Sequence, residues 1–186
     1  MFSSRAPSPD FRLKLLEKAD AQPLYDAIRA NREFLREWLP WVDTTRSVHD
    51  SKAFIDDAMH KYLKGEGVVQ GIWSDGALVG CIGLNDICLP HRKASLGYWL
   101  DRSHQDRGIM TRAARQVVHY AFNELRLNRM EILCASRNYR SRGVAQRLGF
   151  HPEGVLRDYH YQHGHYVDML LFSMLRRDWS YAMENG

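Results

Sequence analysis

A mixed α/β fold, with helices packed on a mostly antiparallel sheet, is predicted by three features of the sequence. First, 94–100 ("ASLGYWL"), the long helical stretch after it and 129–136 ("RMEILCAS") form a β-α-β unit, so these two strands are expected to run parallel. Second, 68–84 ("VVQGIWSDGALVGCIGL") sets Asp75-Gly76, a pair suited to positive φ, between two apolar runs, which marks a tight hairpin. Third, the segments near 153–162 and 166–175 meet at "YQHGHY" and close the chain with a second hairpin.

The remaining elements follow in order. "FRLKLLE" (11–17) alternates apolar and polar residues and reads as the first strand. Asp20 is placed to cap a helix carrying Leu24, Tyr25 and Ile28 on one face. "REFLREWLPWVD" (32–43) continues helically as far as Pro40. Ser47 or Asp50 opens the next helix, with an apolar stripe of Phe54, Ile55, Ala58, Met59, Tyr62 and Leu63, and "GEG" ends it. The helix between the parallel strands carries Met110, Ala113, Ala114, Val117, Val118, Ala121, Phe122 and Leu125 at three-four spacing. "NYRSRGVAQRLGF" (138–150) is a short helix closed by Gly149.

At 186 residues the chain suits one domain, 1–186, with 1–9 as a flexible tail. A content of 45% hydrophobic and 26% charged residues fits a globular protein rather than a disordered one. No run approaches the roughly 18 apolar residues of a membrane span, and the start lacks the apolar stretch of a signal peptide, so a cytoplasmic location is expected and a membrane partner is not. Cys81, Cys88 and Cys134 form no CxxC pair, which fits reduced structural thiols. The net charge of +4 suits an anionic cofactor or a ribosomal neighbourhood. Direct nucleic-acid binding ranks last, because the basic residues cluster at one helix entrance instead of along a face.

That entrance is unusual. The stretch "LGYWLDRSHQDRGIMTRAARQVVHYA" (96–121) has its last acid at Asp106, although a helix's first turn normally favours Asp or Glu. Arg107, Arg112 and Arg115 crowd it instead. Bare amides at a helix start bind phosphate well, Gly108 lets a ligand approach closely, and Thr111 adds a hydroxyl. The same residues can equally be the wet face of an amphipathic helix. Neither GxxxxGK[ST] nor GxGxxG occurs, which argues against nucleotide hydrolysis and nicotinamide redox chemistry.

"GYWLDRSHQDRGIMTRAAR", followed about thirty residues later by "NYRSRGVAQRLGF", resembles the GNAT superfamily of acyl-CoA-dependent N-acetyltransferases. "LREWLPWVD", "GYWL" and "GIMT" look most like its RimJ/RimL group, which acetylates the amino termini of ribosomal proteins. The resemblance implies a seven-stranded sheet splayed between the fourth and fifth strands and flanked by about four helices. It implies acetyl-CoA in the resulting V, with its pyrophosphate on the loop Gln105, Asp106, Arg107, Gly108, Ile109, Met110 and Thr111. The pantetheine arm would pair with the main chain of Trp99 and Leu100. Asp106 departs from the family pattern, which has a glycine there. Asp tolerates left-handed geometry, so the loop's shape can survive, with weaker CoA binding or with the carboxylate turned to solvent. Asn138 and Ser141 match the family's N-x-x-S motif, which implies a hydrogen bond from Asn138 to the pantetheine and protonation or steadying of the departing thiolate by Ser141. A helix cap at Asn138 is the plainer reading and is compatible with it.

Acetyl transfer from a thioester needs a neutral amine, a polarised carbonyl and a thiol leaving group. The amide near Leu100 is a candidate oxyanion donor, positioning carries much of the rate, and no covalent intermediate is required. His160, in "DYHYQHGHY", is the candidate base, with a surface hairpin histidine as the bland reading and Asp158 as a neighbour able to serve instead. Asp168 reads as structural. Phe34, Trp38 and Trp41 are expected to wall the acceptor side, though burial on an amphipathic helix would also explain them. His160, His163 and His165 are not expected to hold a metal, since His163-Gly164 reads as the turn itself. The expected acceptor is a protein N-terminus, ribosomal in type. A small amine (polyamine, amino sugar or antibiotic) is the first alternative, and an acyl-CoA-binding regulatory protein with weak catalysis is the second. The resemblance leaves a homodimer open.

Overall fold

In the computed structural model residues 11–179 are described, so the tail expected at 1–9 lies outside them. Seven strands form one sheet: β1 (Arg12–Leu15), β2 (Val68–Ser74), β3 (Ala77–Cys88), β4 (Lys93–Leu100), β5 (Arg129–Ala135), β6 (His151–Gln162) and β7 (His165–Leu175). Their spatial order is β1-β2-β3-β4-β5-β7-β6, and β4–β5 is the parallel pair. Both predicted hairpins turn on two left-handed residues: Asp75 (φ 49°) with Gly76 (81°), and His163 (49°) with Gly164 (83°). Two consecutive positive φ values match the twist of the flanking strands.

β4 and β5 pair only at Lys93–Arg129, Ala94–Met130 and Ser95–Glu131. Beyond Ser95 the strands part, while β3 stays paired with β4 as far as Leu100. The edge of 96–100 that faces β5 is therefore without a strand partner, and the sheet opens there as the resemblance implied.

Helices flank the sheet, among them α1 (Ala21–Ala30), α2 (Arg32–Arg36), α3 (Val48–Lys64), α4 (Ile109–Asn123) and α5 (Tyr139–Arg147). The three-four stripe of α4 is buried from Met110 to Phe122, packed with Ile82, Leu84, Leu96, Met130, Ile132 and Phe172. Fully burying a side chain such as Phe122 contributes about 2–3 kcal/mol, so this stripe anchors α4, and with it the loop ahead of it, to the sheet. The second apolar cluster joins Leu24, Ile28, Leu35, Val42 and Ile55 to Leu16, Leu78 and Trp99, holding α1 to α3 against the sheet.

Three local expectations need correction. Asp20 does not cap α1 with its side chain; it closes a capping box on a 3₁₀ turn, accepting from the Glu17 amide at 2.9 Å and from Lys14. The helix expected to run as far as Pro40 stops at Arg36, and Pro40 starts a separate 3₁₀ turn (Pro40–Asp43), where proline's missing N–H is tolerated at a first helical position. The stripe of α3 is only partly inside. Ile55 and Ala58 are buried, whereas Phe54 (46%) and Leu63 (75%) are exposed. The start of α3 resolves the two caps proposed for it: Ser47 is the cap and Asp50 the third residue, each accepting from the other's amide.

Candidate active site

α4 begins at the carboxyl end of β4, beside the opening of the sheet. The approach is a short 3₁₀ turn (Arg102–His104) capped by Asp101, which accepts from the Ser103 amide at 2.6 Å and its hydroxyl at 2.7 Å. Asp106 (φ 61°) and Gly108 (φ 71°) are both left-handed and bracket Arg107. A chain with alternating handedness turns successive amides inward and makes an anion cradle. The amides of Ile109, Met110 and Thr111 open the helix and have no carbonyl one turn earlier to bond, since the first such bond belongs to Arg112, to Gly108 O at 3.1 Å. A Cβ built at Gly108 meets nothing within 4 Å, so the space before the helix mouth is open.

The Asp106 carboxylate faces water, with its side chain 84% exposed and Arg140 of α5 3.7 Å away. The substitution thus keeps the loop's shape and turns its charge outward, one of the two outcomes expected. Gln105 Oε1 is buried with no hydrogen-bond partner among the described residues. Thr111 Oγ1 accepts from Arg147 Nε at 3.1 Å, which brings a second cation from α5 to the helix mouth. Arg112, by contrast, lies with its guanidinium 5.5 Å from the centre of the Phe11 ring, so it belongs to the packing of β1 more than to the cradle.

Asn138 caps α5 through its Oδ1, which accepts from the Ser141 amide at 3.0 Å. Its side-chain amide nitrogen keeps its donors. Ser141 lies next to Cys134 of β5 and Tyr98 of β4. Burial pushes the Cys134 thiol up, which makes it a poor nucleophile at neutral pH and agrees with a structural role. Leu100 turns its main-chain groups to the unpaired edge of β4 described above, whereas those of Trp99 face Cys81 of β3, in register with the Asp101 amide that donates to Val79 O at 2.7 Å.

On the acceptor side, Phe34 is half-buried with the Arg102 guanidinium 6.0 Å from its ring centre. Trp38 is half-buried, and Trp41 is 38% exposed. Leu35 and Val42 take the core positions of this segment, so burial does not account for the two tryptophans. His160 pairs with Val167 past the end of β5, is exposed, and stacks on Tyr159 at 5.3 Å. Asp168 is structural: its carboxylate accepts from the Asp158 amide at 2.8 Å within a bulge where Asp158 has φ 50°. Among the described residues no group of three or more His, Cys, Asp or Glu is arranged to hold a metal.

Several contacts were hidden in the sequence. Gln162, nearly fully buried at the hairpin tip, donates to the carbonyls of Arg36 and Glu37, and His163 bonds Arg36 O at 2.7 Å. The β6–β7 tip is thereby fastened to the segment after α2, which bears the tryptophans. Arg36 binds Asp43 through two nitrogens and holds its carboxyl below the usual range. Asn31 joins α1 to the exit of β4, donating to Ala27 O and Asp101 Oδ2 while accepting from the Arg102 amide.

The open amides at the start of α4, the edge of β4 left without a strand partner and the Asn138-capped α5 lie around the opening of the sheet. A family model described as an acetyltransferase (GNAT) domain matches residues 10–151. The chain belongs to the GNAT acetyltransferase family. Among curated relatives, a Bacillus subtilis (strain 168) protein named as a candidate ribosomal N-acetyltransferase, YdaF, is 37% identical over 168 residues, covering 90% of this chain and 92% of that one. The ribosomal-protein-serine acetyltransferase of Escherichia coli (strain K12) is 29% identical over 168 residues, covering 90% and 94%. Among solved structures, RimL, a ribosomal α-N-protein acetyltransferase in complex with coenzyme A, superposes with a TM-score of 0.88 over 92% of this chain and 97% of that one, at 23% identity. As a GNAT member the protein is an acetyltransferase, with the mixed, splayed sheet of that fold.

Proposed function

We propose that the protein is an Nα-acetyltransferase of the ribosomal-protein type, which moves an acetyl group from acetyl-CoA to the amino-terminal nitrogen of a protein in the cytoplasm. The names of its relatives support the substrate class. The observation that carries the choice of acceptor is the mouth joined by Gln162. The segment it fastens bears Trp38 and Trp41, and one of its carboxylates, Asp43, is paired with Arg36. A polyamine site wants unpaired acids. An α-amine with pKa near 7.7–8.0 needs only about 1 kcal/mol to lose its proton at pH 7, against about 4.6 kcal/mol for a lysine-like amine, so a weakly charged mouth suits the first.

Bound acetyl-CoA supplies the activated thioester carbon. The amides of Gly108 to Thr111, with Arg107 and Gln105, hold its pyrophosphate. The unpaired edge of β4 at Leu100 holds its pantetheine, aided by Asn138, and the Leu100 amide is aimed to receive the oxyanion. Ser141 steadies the leaving sulfur. His160 accepts the amine proton directly or through water, and Phe34, Trp38 and Trp41 hold the residues next to the amine. Turnover is by direct attack within one complex.

Incubating the protein with acetyl-CoA and a panel of N-terminal peptides, including those of ribosomal proteins, should release free CoA with acetyl found on the α-nitrogen. Saturable turnover of a polyamine or amino sugar with all peptides inert would replace this acceptor class, and CoA binding with every amine inert would leave only a binding protein.

A further inference from the structure

Tyr98 stands on β4 three residues beyond Ser95, the last residue paired with β5, so it lies in the opening of the sheet. Its hydroxyl crosses that opening to α5, where it lies 2.9 Å from Ser141 Oγ and 3.2 Å from Ser141 O. A residue 43 positions away thus makes both contacts to the one serine assigned to the leaving sulfur. We propose that Tyr98 is a positioning residue for Ser141, which aims the serine hydroxyl into the opening and frees its single proton for the sulfur of CoA. The proposal rests on the acetyl-CoA reading above.

The reasoning is a count of protons. Each hydroxyl carries one. When Tyr98 donates to Ser141 O, its own oxygen can only accept from Ser141 Oγ, and the serine proton is taken. When Tyr98 donates to Ser141 Oγ, the serine proton is left for a third partner, the neighbouring Cys134 sulfur at rest and the sulfur of CoA when it is bound. Both oxygens are within hydrogen-bond reach of the phenol, so its proton changes partner by turning about the C–O bond, with no heavy atom displaced. As the amine nitrogen bonds to the acetyl carbon, the C–S bond breaks and its electron pair goes to sulfur. The negative sulfur attracts the serine proton, and Tyr98 supplies the donor that Ser141 Oγ then needs. Both protons stay on their own oxygens, and the amine's proton leaves by the base or water. Burial pushes the Tyr98 hydroxyl's pKa up, so it remains a phenol and a donor throughout.

A plain structural clamp between β4 and α5 would use the same contacts, so the test reads the sulfur itself. Ionisation of the thiol of bound CoA is followed by thiolate absorbance, each protein–CoA complex being corrected by its complex with desulfo-CoA, in wild type, Tyr98→Phe, Ser141→Ala and the double variant. In wild type the bound thiol should ionise about tenfold more readily than in free CoA, roughly one pH unit lower. Tyr98→Phe and Ser141→Ala should each abolish most of that gain, and the double variant should lose no more than either. With an active acceptor, Tyr98→Phe should lower kcat about tenfold with KM for acetyl-CoA changed less than about twofold. A ring-fluorinated tyrosine at 98 keeps the packing and donates more strongly, so it should lower the bound thiol's pKa further. CoA that binds with wild-type thiol ionisation in Tyr98→Phe, or losses that multiply in the double variant, would overturn the proposal alone. Should Tyr98→Phe fail to fold, an unchanged thiol in the fluorotyrosine protein would overturn it equally. Failure of wild type to bind CoA would instead bring down the acetyl-CoA reading, and this proposal with it.

Discussion

Replacing Asp106 by Asn or Gly removes the acid that stands where the family pattern has glycine. The carboxylate sits in the same turn as Gly108, and two like unit charges about 5 Å apart repel by about 0.8 kcal/mol in water. Arg140, 3.7 Å from the carboxylate, offsets part of that repulsion while Asp106 is present and is released toward the ligand once it is gone. Screening at so exposed a site holds the total to about 1 kcal/mol, about a fivefold tighter Kd for CoA. Asn keeps the side chain's shape and tolerates the left-handed φ of 61°, so Asp106→Asn isolates the charge. Asp106→Gly would also relieve backbone strain but loosen the unfolded chain, and these nearly cancel in stability. Calorimetric titration with CoA at two salt concentrations measures both variants. The gain should be shared by Asn and Gly and shrink at high salt. An Asn variant with unchanged or weaker affinity would refute the reasoning, and a gain confined to Gly would place the effect in the backbone instead.

Three further outcomes are expected. Gly80→Ala should destabilise the protein by about 3 kcal/mol or more and lower its melting temperature in calorimetry, because a Cβ there would lie 2.4 Å from the carbonyl oxygen of Trp99, on the backbone of β4. Gln162→Ala removes two donor bonds from the hairpin tip and should lower stability by about 1–3 kcal/mol in chemical denaturation, and it should raise KM for the peptide in steady-state kinetics with CoA affinity unchanged. Glu153 is held down to about 2 by Arg129 and by the Ser173 hydroxyl, below its ordinary 4.5. A depressed folded value stabilises the protein above the unfolded pKa, and that contribution fades as pH falls from about 4.5 toward 2. Glu153→Gln should therefore lower stability at pH 6 by less than about 1 kcal/mol, given the exposure of the carboxylate, and the gap in chemical denaturation should close on acidification.

Much of this architecture was legible because short-range chemistry specifies it. Asp75-Gly76 and His163-Gly164 both turned out to be left-handed pairs, the α4 stripe became core, and the short β4–β5 pairing gave the splay that the motifs implied. Asp106 itself takes the left-handed conformation, φ 61°, that a glycine would adopt without strain. Long-range partners were not legible. Asn31 with Asp101, Tyr98 with Ser141 and Gln162 with Arg36 are 70, 43 and 126 residues apart, and nothing local in the chain marks them. The break at Pro40 was visible as a proline but not as a new turn beginning there. Strand β3 runs on to Cys88 through a bulge after Asn85, where the polar pair Asn85-Asp86 reads as a strand end when pairing with β4 cannot be seen. Phe54 and Leu63 were misplaced because periodicity gives a helix's apolar face but not how far the neighbouring sheet extends beneath it.

The claim that most of the account depends on is that main-chain amides at the mouth of α4 hold the linked phosphates of CoA. A crystal structure of the protein with CoA tests it directly. It should place pyrophosphate oxygens about 3 Å from the amide nitrogens of Gly108 to Thr111, with the pantetheine along the β4 edge at Leu100. Phosphates seated elsewhere, or a ligand held by side chains with those amides still facing water, would contradict it.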